Sequence, residues 1–405
     1  MAAASTLGAA VILFALASPA GAMAVSQQDV LQGYANQLVA VGTSSVLAEA
    51  QNNGSSIKVR AGESIRGTGL PVAWGSHYRT GSTTKTFVST VLLQLEAEHR
   101  LSLDDSVEHW LPGLLQSNGY NGNLISVRQV LNHTSGIFSY TDDEAFAATL
   151  TTKSGFYANR FKNYTPDQLI AVALAHPPLF APGTSWQYSN TDYIIAGKII
   201  KAVTGNAWNT EVQARILTPL HLTETASAQS NPFMPLPYAV AYNIYAAAPN
   251  RDYGDVTTDN MTWAGAAGDL ITTTHDENRF FQALMKGQLL PPAQLAEMKT
   301  LVPLAPGVGY GLALVHYELP CDSRGFWGHD GGTVGYTTTT GVTDDGTKSV
   351  MISTPTTSFS DDQYNTESVN LETDMVNAAL CPGTAAAAAT PRPALSLGSK
   401  RPLYP

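Results

Sequence analysis

Charge is scarce in this sequence. Asp, Glu, Lys and Arg make up only 13% of its 405 residues. Lys and Arg number 22 against 32 Asp and Glu, a net charge of −10. Phosphate backbones need clustered cations, and no such run exists, so no nucleic-acid partner is expected. Metal-ligand patterns are missing too. There is no Cys-x-x-Cys, no His-Glu-x-x-His and no Cys/His cluster, so neither a protein-bound metal nor a cofactor is expected. Cysteine is nearly absent, with only Cys321 and Cys381. No apolar run is long enough to span a bilayer. The one that stands out, residues 7–17 (LGAAVILFALA), is followed by Ser18-Pro19-Ala20-Gly21-Ala22. That is the layout of a secretory signal with cleavage after Ala22 or Ala24. No Lys or Arg precedes the run, which leaves open a start upstream of Met1 or a weak signal. Residues 1–24 are expected to be a signal peptide, and the mature chain a secreted monomer with no stable membrane anchor.

What is present can build a core. Hydrophobic residues make up 44% of the chain, which sets it apart from disordered sequences. The length allows two domains, or one with a large insertion. In an exported protein two cysteines can form a single disulfide. Closing that loop stabilises by roughly 4 kcal/mol on the chain-entropy model. Two free buried thiols are the alternative.

Periodicity predicts a helix over 27–41, then strands over 44–51 and 56–61 around the Asn52-Asn53-Gly54 turn. A loop then runs into a helical pattern after residue 82. Short helices are predicted over 101–111, 127–133, 166–175, 192–204 and 211–217. Residues 228–262 read as a long irregular connection, the kind that more often lines a site than fills a core. Helices return over 276–284 and 293–300. Strands follow over 310–318, 335–343 and 347–354, and a helix over 367–380. The layout predicts an α+β fold whose two ends share one mixed sheet. The expected division is 25–100 with 263–382 as an α/β domain, and 101–262 as a mostly helical insertion. Residues 383–405 are Pro/Ala-rich and are expected to be a disordered tail.

Three short patterns carry chemistry. Ser82-Thr-Thr-Lys85 opens the buried helix, so Ser82 would meet a helix N-terminus and Lys85 would follow one turn later. A desolvated lysine there can lose its proton and act as a base. The alternative is a capping serine with a solvated lysine. A second copy of the spacing, Ser55-Ser56-Ile57-Lys58, shows how easily it arises. Tyr188-Ser189-Asn190 follows a Pro182-Gly183 turn and precedes a helix. A phenol there can shuttle a proton, and an amide can bind a carbonyl. Tyr34-Ala-Asn36 and Tyr157-Ala-Asn159 share the spacing without that setting. His329-Asp330-Gly331-Gly332 is placed at the start of a strand, where glycines let a substrate backbone approach an edge.

The order Ser82-x-x-Lys85, Tyr188-x-Asn190, His329-x-Gly331 resembles the serine D-alanyl-D-alanine carboxypeptidases and class C β-lactamases. These SxxK penicillin-recognising enzymes include D-stereospecific aminopeptidases and amidohydrolases. Further similar stretches are Leu101-Ser-Leu-Asp-Asp-Ser-Val, Ile125-Ser-Val-Arg-Gln-Val-Leu-Asn-His-Thr-Ser-Gly, Trp263-Ala-Gly-Ala-Ala-Gly and Gly309-Tyr-Gly-Leu-Ala-Leu. The resemblance covers roughly residues 40–381. It implies a β-lactamase/transpeptidase-like fold: a mixed antiparallel sheet with flanking helices and an inserted helical domain. It also implies a disulfide where Cys321 and Cys381 fall. By resemblance, Ser82 is the nucleophile, and Lys85 and Tyr188 move its proton. Asn190 positions the acyl amide, and the N–H groups of Ser82 and Gly332 hold the oxyanion. His329 supplies the polar or positive group, and Trp263 walls the cleft.

Two departures bear on the substrate. The hydroxyls that flank the third motif in carboxypeptidases are replaced by Asp330 and Gly332. The position of their carboxylate-binding arginine falls at Val315-His316-Tyr317, with Arg324 as a cation that a shifted loop would bring close. Asp330 would repel an anionic leaving group. The expectation is therefore an acyl-enzyme hydrolase for amide, peptide or ester bonds in substrates containing D-amino acids, with acyl transfer to amines as a second outcome. A D-alanyl-D-alanine carboxypeptidase, a β-lactamase and a non-catalytic penicillin-binding-like module are the alternatives.

Overall fold

The computed structural model describes residues 25–383. The expected signal segment, and the expected tail beyond residue 383, lie outside the described residues. The first helix, α1 (Gln27–Ala40), starts at a capping box in which Ser26 and Asp29 bond each other's backbone N–H. It leads into the hairpin β1 (Ser45–Asn52) and β2 (Ser55–Gly62). Asn53 and Gly54 both take positive φ, 47° and 88°, as a tight turn with the strands' twist requires.

The C-terminal half supplies the rest of the sheet. Its strands are β3 (Val302–Ala305), β4 (Val308–Tyr310), β5 (Val315–Leu319), β6 (Asp322–Gly328), β7 (Gly331–Thr333), β8 (Tyr336–Thr343) and β9 (Lys348–Thr354). The order across the sheet is β2-β1-β9-β8-β6-β5-β4-β3, with β7 also pairing β8. Each of these pairings is antiparallel. The N-terminal hairpin thus joins the C-terminal strands through β1 and β9.

Both faces of the sheet are covered. Val350 and Ile352 of β9 join Val46 and Ala48 of β1 under Leu31 and Leu38 of α1 and Val376 and Leu380 of the last helix, Asp362–Leu380. Met351, between them, faces the other way into a larger cluster. That alternation is the period of a strand buried on both sides. The larger cluster holds Phe87 and Leu92 of the helix Thr84–Ala97 and Phe280 of the helix Thr274–Met285. Phe87 stacks on Phe280 at 3.6 Å between centroids. The same cluster includes Leu103, Val130, Ile170 and Ile194, so the helical middle of the chain shares its core with the sheet.

The disulfide joins Cys321, before β6, to Cys381, after the last helix, across 60 residues. A loop of that length corresponds to about 4 kcal/mol of stabilisation.

Several predicted elements differ. Only Val107–Trp110 of 101–111 is helical. Asp105 bonds Ser102 N and Trp110 Nε1, and Ser106 caps the short helix at His109 N, so local side-chain bonds hold the preceding segment as a turn. The single strand over 310–318 is two, β4 and β5, folded back where Gly311 N donates to Leu314 O. Helices Glu144–Thr151 and Lys153–Asn159 were not predicted, and each begins at a side-chain cap, Asp143 and Thr152. The region 228–262 contains two short paired strands, Tyr242–Ile244 and Tyr253–Asp255. The strand β6 was missed, and His329 follows it instead of starting a strand.

Glu277, on the helix Thr274–Met285, accepts hydrogen bonds from the Tyr78 and Thr80 hydroxyls and so ties this helix to the segment entering residue 82. Burial pushes its carboxyl from 4.5 up to about 7. A raised carboxyl favours the native state below its unfolded pKa, and that advantage is lost as pH rises through 7. The difference is on the order of 3 kcal/mol. Glu277→Gln is expected to narrow the gap in unfolding free energy between pH 5 and pH 8 by up to that amount. Urea denaturation at the two pH values measures it, and an unchanged gap would contradict the assignment.

Candidate active site

Ser82 sits in a single 3-10 turn, Gly81–Thr83, that continues into the helix Thr84–Ala97. Residues 84–93 of that helix are buried on every side, as a helix through the middle of a core must be. The turn is pressed against β7. A Cβ on Gly81 (φ 59°) would lie 2.6 Å from Gly332 N, and one on Gly331 would lie 1.8 Å from Thr80 O. Two glycines therefore let backbone meet backbone. Gly332 differs, because a Cβ there would meet nothing within 4 Å. Its open side faces a cleft.

The Ser82 side chain does not cap the helix. Its Oγ lies 3.0 Å from Lys85 Nζ. Lys85 is fully buried, and its Nζ also donates to Asn190 Oδ1 at 2.8 Å and to Ala267 O at 2.7 Å. Burial lowers the lysine's pKa well below its usual range, with the Asp192 carboxyl pulling the other way. A neutral amine has two N–H bonds and one lone pair. Asn190 and Ala267 only accept here, so they take the two hydrogens and the lone pair is left facing Ser82. The serine hydroxyl then donates to the amine, the geometry of a general base.

Asn190 opens the helix Asn190–Thr204. Its Nδ2 donates to Thr141 Oγ1 at 3.0 Å, which fixes the amide with its oxygen on Lys85. Tyr188 lies against this cluster, its ring centroid 4.9 Å from Lys85 Nζ. Burial raises its phenol well above the ordinary range while the neighbouring Ser82 hydroxyl lowers it. Among the described residues no partner meets strict hydrogen-bond geometry with that phenol, and its nearest hydroxyl influence is that of Ser82.

The cleft is lined by Ser82, Asn190, Trp263, Gly332 and Thr333, with Tyr140, Ala264, Ala267 and Gly268. Tyr140 OH donates to Trp263 O at 2.6 Å, and Trp263 Nε1 to Asp259 Oδ2 at 3.0 Å, so the aromatic wall is anchored. None of the described lining residues is Lys or Arg.

A protein-family profile described as Beta-lactamase matches residues 31–372. The chain belongs to the β-lactamase family. Among solved structures it is similar to a D-stereospecific amidohydrolase from Streptomyces sp., at 42% identity and TM-score 0.77 over 81% of this chain and 94% of that one. The fold also matches D-amino acid amidase from Ochrobactrum anthropi SV3, at 24% identity and TM-score 0.73 over 87% and 97% of the two chains. Among curated proteins it is 26% identical over 266 residues to the putative penicillin-binding protein PbpX of Bacillus subtilis, a match spanning 64% of this chain and 61% of that protein.

Within this family member, the third motif is the part that departs from expectation. His329 is fully buried and does not line the cleft. Its Nδ1 lies 2.8 Å from Asp330 O, and a carbonyl only accepts, so Nδ1 carries the proton. Nε2 must then accept from Tyr310 OH at 2.9 Å. Burial and the nearby Lys85 hold the ring's pKa down to about 3. It is a neutral brace, not a cation presented to substrate. Asp330 also turns away. Its Oδ1 accepts from Thr340 N at 3.2 Å and its Oδ2 from Tyr317 OH at 3.4 Å. Gly331 is buried against Thr80. Arg324 is held by Asp322 at 2.7 Å. It sits four residues before the end of β6, on the order of 13 Å from that end along a strand. The second Ser-x-x-Lys lies in the hairpin, where Lys58 pairs with Glu49. The disulfide is at the far end of β6 from the cleft.

Sequence reasoning missed the layer behind Lys85. His133 Nδ1 lies 2.9 Å from Asp192 Oδ2, and Ser135 Oγ donates to Asp192 Oδ1 at 2.6 Å. The His133 ring packs 4.4 Å from Tyr188 and 5.0 Å from Tyr310. Burial lowers the histidine and raises the aspartic acid, driving both toward neutral forms. His133 sits in a stretch that carries the resemblance and Asp192 lies two residues past Asn190, but no spacing rule joins positions 133 and 192.

The two glycines of β7 separate structure from access. Gly331→Ala is expected to displace the nucleophile turn, destabilise by about 1–3 kcal/mol and abolish activity. Gly332→Ala is expected to fold with an unchanged melting temperature while raising KM. Thermal melts and steady-state kinetics on the pair distinguish the two.

Proposed function

We propose that this protein is an exported serine hydrolase that forms an acyl-enzyme on Ser82 and cleaves amide, peptide or ester bonds after D-aminoacyl groups. The observation that carries the reading is the cleft itself: a serine bonded to a buried, deprotonatable lysine, beside a wall with no fixed cation. The Ser82 Oγ attacks the acyl carbon as its proton passes to Lys85 Nζ. The N–H groups of Ser82 and Gly332 receive the oxyanion, about 3–4 kcal/mol per donor on a typical scale. Lys85 then returns the proton to the leaving group, with the Tyr188 phenol, beside Ser82, as the relay. Water or an amine attacks the acyl-enzyme in the second step, giving hydrolysis or acyl transfer.

The substrate side rests on two supports. A terminal carboxylate finds no Lys or Arg among the described residues of the wall, which favours uncharged leaving groups. The D-preference is supported by the 42% identity to a D-stereospecific amidohydrolase. A D-alanyl-D-alanine carboxypeptidase is the second reading, favoured only by Thr333, which lines the cleft. Export is supported by the N-terminal pattern and the disulfide.

The test is a panel of D-Phe amide, L-Phe amide and a D-Ala-D-Ala peptide, with Ser82→Ala as control. D-Phe amide is expected to be turned over fastest. Faster turnover of the free-carboxylate peptide would overturn the leaving-group assignment. Failure of a fluorophosphonate to label Ser82 in the folded protein would overturn the hydrolase reading altogether.

The base gives a separate prediction. Activity is expected to fall on the acid side as Lys85 gains its proton, with the limb well below the ordinary lysine range because burial lowers this pKa. Lys85→Arg, which keeps charge but cannot deprotonate, is expected to lose about 10²–10⁴ in kcat/KM.

A further inference from the structure

A second cavity, about 230 Å³, lies behind the wall of the cleft. Its floor is apolar, built from Leu169, Ile194 and Trp208, with Lys198 and Lys201 at its edge. Ile194, Gly197, Lys198 and Lys201 fall at helical spacing on one face of the helix Asn190–Thr204, and Asn190 lies one turn before them on that face. The opposite wall is the segment 262–268. Thr262, Gly265 and Ala266 face the cavity, while Trp263, Ala264, Ala267 and Gly268 face the cleft. The cavity and the cleft thus share a wall one residue thick.

That placement has a consequence for Lys85. The two fixed acceptors on its amine are Asn190 Oδ1 and Ala267 O. Both face the cleft, but Asn190 lies one helical turn before Ile194 of one cavity wall and Ala267 directly follows Ala266 of the other. Packing there is already close, since a Cβ on Gly197 would lie 2.8 Å from the Ala266 Cβ and 3.3 Å from Trp208. A ligand seated between the walls reaches those acceptors through one helical turn on one side and one peptide unit on the other.

The charges name the ligand class. Lys198 is bonded to Asp167. Lys201 is exposed and, among the described residues, forms no ion pair. A cation at the edge of an apolar, tryptophan-lined floor suits an anion with an apolar body. We propose that this cavity binds a small amphipathic carboxylate, its ring or short chain against Trp208 and Leu169 and its carboxylate on Lys201. Occupancy alters the hydrogen bonding of Lys85 through Asn190 and Ala267.

The probe is 3-phenylpropionate, titrated into the full chain by calorimetry with tryptophan fluorescence in parallel. The titration is run on free protein and on protein whose Ser82 carries a fluorophosphonate. One equivalent is expected to bind in both. Lys201→Glu, which reverses the edge charge, and Ala207→Phe, which fills the mouth from an exposed position, are each expected to weaken binding by about tenfold or more, the scale of one charge-assisted contact. Both variants are expected to keep wild-type melting temperature and activity without probe. Saturating probe is expected to move the acid limb of kcat/KM in wild type and leave it in place in Ala207→Phe. Affinity unchanged in both variants, or loss of binding on the phosphonylated protein, would overturn the site. Equal binding of the neutral 3-phenylpropanamide would overturn the carboxylate assignment, and an unmoved acid limb at saturation would overturn the coupling. If Ser82 resists labelling, the hydrolase reading fails, while the two cavity variants still decide the site by binding alone.

Discussion

A buried amine has to be reconciled with its own hydration. Moving an ammonium out of water costs several kcal/mol even after a protein relaxes around it, and Lys85 has no exposed surface. It is held by three oxygens, from Ser82, Asn190 and Ala267. Those oxygens come from three separate parts of the chain, the nucleophile turn Gly81–Thr83, the helix Asn190–Thr204 and the turn before Gly268. The fold brings these segments together around one nitrogen. Any of them displaced by an ångström leaves either an unpaired amine or an unpaired acceptor in a dry interior. The precision of the cleft follows from this constraint more than from any contact made by the cleft's own surface.

The groups behind the amine are chosen to stay uncharged. Tyr188, Tyr193 and Tyr310 are raised by burial, and His133 and His329 are lowered. A protonated histidine at either position would face Lys85 across a low-dielectric layer and further oppose its charged form. The tautomer of His329 is dictated by its own backbone, through Asp330 O. That leaves Tyr310 as the donor and locks the tyrosine against the aromatic cluster. Asp192 is the carboxyl whose charged form would pull Lys85 the other way. Burial raises that acid as well, so its influence is muted by the same dryness that lowers the lysine.

Local patterns carried much of this into the sequence. The N-terminal hairpin was legible because Asn53-Gly54 needs positive φ, and few other pairs supply it. The spacing of Ser82 and Lys85 was legible because one helical turn brings i and i+3 together. What spacing cannot reach is which side of a backbone a residue will face. His329, Asp330 and Gly332 are near neighbours, yet only Gly332 reaches the cleft. The turn from β6 into β7 decides that, and β6 was not predicted because Asp322-Ser323-Arg324-Gly325 carries no strand-like alternation. Its pairing with β5 and β8 overrides weak local preference. The partnership of His133 with Asp192 has the same origin, a contact across 59 residues that depends on packing alone.

The neutral wall and the buried lysine are two sides of one electrostatic arrangement. An anionic group brought to about 5 Å from Lys85 at an effective dielectric near 20 would favour its protonated form by about 3 kcal/mol. That would raise the amine's pKa by about two and place a proton where the lone pair is needed. A cation beside the substrate's anion would cancel this field, and the described cleft residues include no Lys or Arg. His329, neutral and turned inward, cannot take that role. An uncharged leaving group leaves Lys85 free to accept the serine's proton. On the proposed reading, selection against anions would follow from keeping the base deprotonated, before any steric fit is considered.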